Sequence, residues 1–155
     1  AVKEHLGFWS YDWNDDSVRI PTLYQSVQQK VSSGSTLLYA KGCELTDTSR
    51  AGFAEAVAAA NQSDVVVMYV GETRNMSGEA KSRSNIHLPG VQEELIKAVM
   101  ATGKPVIVLI AAGRPLVFNW TAEHVPAIVY TWWLGTKGAD AIADVLFGDY
   151  NLYLS

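Results

Sequence analysis

Two carboxylates, Glu72 and Glu79, lie in a polar stretch, GETRNMSGEAKSRSNIHLP, that follows directly on the apolar run VVVMYV. A carboxyl group held on such a stretch suits general acid/base work, giving a proton to a leaving group and later taking one from water. The apolar run reads as a buried strand. In open parallel α/β sheets ligands collect beyond the carboxyl ends of strands, where loops converge and helices present unpaired N–H groups. The connection over residues 71–88 greatly exceeds the roughly 2 to 6 residues usual between a strand and the next helix. Its length has two readings: a loop that builds a site, or an ordered surface excursion whose charges are merely solvated.

The rest of the chain supplies elements to position that loop. Leu23, Tyr24 and Val27 follow Pro21 on a helix that ends near residues 32–34, and TLLYAKG then reads as a strand. Thr48 or Ser49 is placed to cap a second helix carrying Phe53, Ala56, Val57 and Ala60 on one side. After the strand and its loop, Pro89 opens a third helix with Val91, Leu95, Ile96 and Val99 inward and Gly103 as its stop. Residues 105–111 read as a fully apolar strand, RPLVFNW is ambiguous between strand and helical turn, and AIVYTWW is the next strand. A last helix over residues 138–147 closes at Gly148. Runs without alternation, such as VIVLIAA and VVVMYV, predict cover on both faces, the mark of a parallel sheet between helix layers. The predicted fold class is α/β: a mostly parallel sheet sandwiched by helices on both faces, doubly wound with flavodoxin-like layering. Trp9, Tyr11 and Trp13, in an irregular aromatic start, cover the sheet edge or face a partner or ligand.

With 155 residues and 48% hydrophobic content, the chain can bury roughly two thirds of its unfolded surface in one core. A single domain over residues 1–155 is expected. A net charge of −4 without any cluster of Lys and Arg argues against nucleic acid as a partner. Cys43 is the only cysteine, which excludes an internal disulfide and a cysteine-rich zinc site, and it reads as a small core residue. No apolar run reaches the roughly 18 residues of a membrane span, and the start AVKEHLGFWS has no signal-peptide apolar region. No membrane partner is expected. Neither a G-x-G-x-x-G fingerprint nor a phosphate-binding loop occurs, so nucleotide binding is disfavoured and no cofactor is expected. His5, His87 and His124 lack metal-ligand spacing, and Ser77 stands before Gly78 outside any G-x-S-x-G elbow. Carboxylate chemistry on the long loop is what remains.

The series SDVVVMYVGE, GEAKSRSNIHLP, TGKPVIVLIAAGRPL and IVYTWWLGTKGADAIADVLFGDYN resembles, in order and spacing, the second domain of glycoside hydrolase family 3, the β-glucosidase and β-xylosidase type enzymes. The likeness spans roughly residues 6–151. It implies an α/β sandwich preceded by a TIM-like barrel, with the active site between them. The barrel carries the nucleophilic Asp, and the sandwich lends the general acid/base Glu from a loop of variable length. The resemblance puts that residue at Glu79, in GEAKSR. Such a retaining enzyme sets one carboxylate to attack the anomeric carbon and one carboxylic acid to protonate the leaving oxygen, about 5 to 5.5 Å apart. β-Linked glucosides or related oligosaccharides are the implied substrates, and a secreted or periplasmic parent enzyme is implied as well.

With the family in view, Glu72 is the runner-up to Glu79, expected to be structural and to bond loop N–H groups because it sits against the strand end. Arg83 is expected to pair with a carboxylate and order the loop, the alternative being a solvated side chain. Met76 and Ser77 are expected near the sugar if the loop folds over the cleft, packing within the loop being the alternative. Trp132 and Trp133 either meet the barrel or pack against the preceding helix. The family's sandwich opens with an apolar strand that would precede Ala1, so a first strand is expected to be missing and the chain to be a fragment of a larger two- or three-domain enzyme, inactive alone. Loss of a central strand leaves apolar surface and unpaired backbone, from which self-association is expected. Two other readings stand beside this one: a non-catalytic domain that shapes a barrel's cleft, and a free-standing small-ligand module.

Overall fold

The computed structural model describes residues 6–8 and 20–151. Three parallel strands, β1 (Val66–Gly71), β2 (Val106–Ala111) and β3 (Ala127–Tyr130), form one sheet in the order β1-β2-β3. Around it lie α1 (Leu23–Lys30), α2 (Phe53–Asn61), α3 (Gln92–Met100), α4 (Asn119–His124) and α5 (Gly138–Leu146), the last entered through a 3-10 turn, Gly135–Lys137. The predicted α/β class is the observed one. Val66 pairs with Val106 and Ile107 with Ala127, so all three carboxyl ends reach the same edge.

The core explains this order. Met68 and Val70 of β1, Val108 and Ile110 of β2, and Leu95, Ile96 and Val99 of α3 form one buried cluster, with Ala60 of α2 beside it. Ile96 and Ile110 are fully buried, and each such side chain contributes about 2 to 3 kcal/mol. On the other face α5 lies over Leu109 and Val129, and α1 is tied to α5 by Ser26 donating to Asp140 at 2.7 Å and by Lys30 pairing with Asp144 and Asp149. β2 is buried from both sides, as its unbroken apolar run predicts.

Several local expectations are corrected. VVVMYV, equally unbroken, is less fully covered on one side by the described residues: Val67 and Tyr69 remain 41% and 40% exposed, α5 of that face lying over Leu109 and Val129 instead. TLLYAKG is not a strand. Its composition suits one, but a strand exists only where a neighbour offers backbone, and among the described residues this segment has no ladder partner; Tyr39 instead sets its ring edge against Tyr24. Thr22, rather than Pro21, starts α1, through a capping box with Gln25. Neither Thr48 nor Ser49 caps α2, which begins after Gly52; both N–H groups instead donate to Asp47. RPLVFNW contains both of its alternatives, a parallel bridge at Val117 to His87 and then the first turn of α4. Trp9, Tyr11 and Trp13, expected to cover the sheet edge or face a partner or ligand, lie outside the described residues.

Candidate active site

At the end of β1 the backbones of Gly71 and Ala111 are so close that a Cβ on Gly71 would fall 1.8 Å from the Ala111 carbonyl oxygen. The following residue, Glu72, donates its N–H to that same carbonyl at 2.9 Å and turns its side chain into the protein, where none of it is exposed. Its Oε1 accepts from Arg83 Nη1 at 2.5 Å, and Arg114 Nε lies 3.3 Å away from the same oxygen. Arg83 also donates to the His87 carbonyl at 3.2 Å. The Glu72 carboxylate thus meets guanidinium groups rather than loop N–H groups, because the far limb of the loop returns Arg83 to the strand end. Planar guanidinium groups match a carboxylate with charge-assisted bonds, and burial makes the loss of either partner costly.

Glu79 is placed differently. Gly78 and Lys81 form an antiparallel bridge, with the Lys81 N–H donating to the Gly78 carbonyl at 3.1 Å. Glu79 and Ala80 are the tip of that turn, and Ala80 takes a φ of +55°, a left-handed conformation costing a residue other than glycine about 1 kcal/mol. Phe8 packs beneath Gly78, so that a Cβ there would come 2.5 Å from its ring, and the Lys81 ammonium sits 5.7 Å from the ring centroid. The Glu79 side chain is exposed. Met76 and Ser77, half-buried, lie on the limb leading to the tip. The loop therefore carries Met76, Ser77 and Glu79 on its outer limb and holds Glu72 with Arg83 beneath it.

The other strand ends contribute residues that motif reading passes over. Arg114, three positions beyond β2, donates through Nη2 to the carbonyls of Met76 and Lys81, the latter at 3.2 Å. Tyr130, the last residue of β3, donates its hydroxyl to the Arg114 carbonyl, and burial holds its phenol above the usual value. Gly113 is wedged between Ser77 and Trp133: a Cβ would lie 2.7 Å from Ser77 Oγ and 2.5 Å from Trp133 Cζ3. Beyond β3, Trp132 is exposed with a φ of +55°, its ring 4.8 Å from that of Tyr130. The signal for Arg114 was in the sequence, since an arginine just past an apolar strand must emerge at the edge where the long loop starts.

Among the described residues, three buried side-chain polar atoms lack a hydrogen-bond partner: Glu72 Oε2, Arg114 Nε and Trp133 Nε1. All three belong to segments that follow strand ends at this one edge. What the edge can do chemically is present one exposed carboxylate on a short braced turn, backed by fixed positive charge, to a molecule approaching from outside. No group of three His, Cys, Asp or Glu side chains able to hold a metal ion occurs among the described residues.

Residues 1–152 match the family described as Glycosyl hydrolase family 3 C-terminal domain. A β-xylosidase of Formosa agariphila is 45% identical over 136 residues, covering 85% of this chain and 19% of that protein. A periplasmic β-glucosidase of Salmonella typhimurium is 42% identical over 150 residues, covering 84% of this chain and 20% of that one. Among solved structures, a GH3 exo-β-xylosidase in complex with a xylobiose aziridine activity-based probe superposes with a TM-score of 0.85 at 28% identity, covering 96% of this chain and 19% of that chain. The β-glucosidase of Listeria innocua in complex with glucose superposes with a TM-score of 0.66 at 37% identity, covering 69% and 15%. The chain spans about a fifth of the length of the curated relatives it matches.

Proposed function

The chain belongs to the glycosyl hydrolase family 3 C-terminal domain family, and from that premise we propose that it is the sandwich domain of a retaining β-glycosidase in which Glu79 is the general acid/base. Residues 1–155 are one domain of a larger enzyme. The nucleophilic carboxylate and most sugar contacts come from a barrel domain outside this chain, and the substrates are terminal β-linked sugars of the glucoside or xyloside class. The relatives named above, called β-xylosidase and β-glucosidase, support that class. The Salmonella relative is called periplasmic, which supports a parent enzyme outside the cytoplasm.

The observation that carries this reading is the presentation of Glu79: an exposed carboxylate at the tip of the Gly78–Lys81 turn, on the sheet edge where all three strands end. In the first half-reaction Glu79, protonated, gives its proton to the glycosidic oxygen as the barrel's carboxylate attacks the anomeric carbon. In the second, Glu79 as carboxylate takes a proton from the water that attacks the glycosyl-enzyme, and the protonation cycle closes. Glu72 cannot share this task, since its side chain has no exposed area and faces two guanidinium groups. Glu72 and Arg83 order the loop from below. Met76 and Ser77, on the limb beside Glu79, line the sugar's approach.

The test uses the complete enzyme, barrel included, carrying Glu79→Ala. Hydrolysis of an aryl glycoside with a poor leaving group should fall by about 10² to 10⁴, and one with a good leaving group far less. Azide should restore turnover of the latter and yield a glycosyl azide, because azide attacks without a general base. Near-normal turnover of both substrates would remove Glu79 from the chemistry and leave the domain as one that only shapes a barrel's cleft.

A further inference from the structure

We infer that Arg114 is the positioning residue of the Glu79 turn, acting on the reaction only through the placement of that carboxylate. The inference rests on the reading of Glu79 as acid/base. The two carbonyls that Arg114 Nη2 holds, Met76 and Lys81, stand on either side of the segment containing Ser77, Gly78, Glu79 and Ala80. One nitrogen thus closes the neck of the turn. The Gly78–Lys81 bridge sets the shape of the tip and Phe8 packs beneath it, but a two-residue tip on a long loop can still swing as a unit, and a hydrogen-bonded link to the sheet edge restrains that swing. Arg114 supplies that link. Its own carbonyl is tied to Tyr130 at the end of β3, and its Nε stands 3.3 Å from the buried Glu72 carboxylate at the end of β1. Glu79 is thereby referred to the ends of all three strands through one side chain.

The chemistry of the guanidinium makes this specific. Five N–H donors in a fixed plane let Nη2 hold two carbonyls while Nε beside it faces a carboxylate, and a lysine ammonium, a point charge on a flexible stem, cannot reproduce that arrangement. The Arg114 side chain is only 20% exposed, so water replaces it poorly. A displacement of about 1 Å in a catalytic group costs on the order of 100-fold in rate, which sets the expected scale.

The experiment is a double-mutant cycle in the complete enzyme, assayed on aryl glycosides with poor and good leaving groups. Arg114→Ala should lose about 100-fold on the poor leaving group, at most about tenfold on the good one, and leave KM within a few-fold. The Glu79→Ala, Arg114→Ala double variant should be no slower than Glu79→Ala alone, since two residues acting as one unit do not add. If Glu79→Ala itself shows no leaving-group dependence, the acid/base reading fails, and the inference with it. If Glu79→Ala behaves as an acid/base variant but the double variant loses a further factor as large as Arg114→Ala alone, Arg114 acts elsewhere and the inference alone is overturned. Arg114→Lys, which keeps the charge, carries the test if Arg114→Ala does not fold. It should show the same leaving-group dependence at smaller size, and full activity on both substrates would overturn the inference.

Discussion

Gln92 pairs with Gly71 as a neighbouring strand would: its Oε1 accepts from the Gly71 N–H at 2.8 Å and its Nε2 donates to the Gly71 carbonyl at 2.8 Å. The same Nε2 also reaches the carbonyls of Leu45 and Pro89, at 2.9 and 3.1 Å. On its other side Gly71 is in register with Ala111 of β2. The first residue of α3 thus completes the outer edge of β1 one position before Glu72, and fixes where the loop begins.

Replacing Gln92 by leucine should destabilise the fold by about 2 to 4 kcal/mol. The new side chain fits an apolar surround, but it leaves one buried donor and several carbonyls unpaired, and each such group costs about 1 to 3 kcal/mol. Denaturant midpoints measure the loss, and hydrogen exchange at the Gly71 amide locates it. Exchange unchanged at Gly71 would show that water takes over the bond and that the clamp is dispensable.

Glu72→Gln should cost about 3 kcal/mol, near the lower end for breaking a buried ion pair, because the Arg83 and Arg114 side chains keep 17% and 20% of their surface in contact with solvent. Arg83→Met should cost less, since Glu72 then keeps Arg114. A reversed ranking in thermal denaturation would mean that Arg83 holds the loop through the His87 carbonyl rather than through the carboxylate.

Much of this was legible beforehand. The α3 stripe, the apolar β2 run and the Gly148 stop announce themselves because periodicity and glycine punctuation are local. The TLLYAKG segment misled because its partner, not its composition, decides its state. β1 misled for a related reason: its apolar run does not say how far the helices of one face extend. Glu72 and Arg83 could be named from the loop alone. Their geometry could not, since Arg114 comes from a strand end thirty-one residues beyond Arg83 and only the parallel register brings the two together.

Gly113→Ala should lower activity of the complete enzyme by about tenfold or more while costing about 1 to 3 kcal/mol in stability. The added methyl would meet Trp133 Cζ3 at 2.5 Å and Ser77 Cβ at 2.8 Å, and a serine rotamer change relieves only the contact with Oγ. The loop or the indole must therefore move. A shifted tryptophan emission accompanying the kinetic loss fits this account, and wild-type kinetics would show that the limb carrying Met76 and Ser77 has room to give.

Lys30 joins the end of α1 to Asp144 and Asp149, and the hydrogen bonds its ammonium donates to those carboxylates, Asp144 first, raise it from the ordinary 10.5 to about 12. A pKa raised on folding means stability that is fully present below about 10.5 and lost as pH climbs through about 12. Lys30→Met should therefore melt at a lower temperature than the parent from neutral pH to about 10, and the gap should close towards pH 12. High salt should narrow it at any pH, because the Lys30, Asp144 and Asp149 side chains keep 31%, 42% and 57% of their surface in contact with solvent. A gap that persists unchanged through pH 12 would assign the effect to packing of the lysine stem.

Trp132 offers the sharpest separation of stability from function. A bulky residue at a φ of +55° costs about 1 to 2 kcal/mol, and Trp132, 48% exposed, offsets it only with the half of its surface that is buried. Its contact with Tyr130, at 4.8 Å between centroids, returns about 0.5 to 1.5 kcal/mol. Trp132→Gly relieves the strain but loses that contact and the buried half of the indole, and adds about 0.5 to 1 kcal/mol of unfolded-state entropy, so a modest net loss of stability is expected. The melting point should shift by only a few degrees. If the strained tryptophan is kept for what it touches beyond this chain, the same variant in the complete enzyme should raise KM or loosen the barrel, read by kinetics and by protease sensitivity of the interdomain connection. Unchanged kinetics with a lower melting point would make Trp132 a structural residue, its strain offset within the domain by packing against Tyr130.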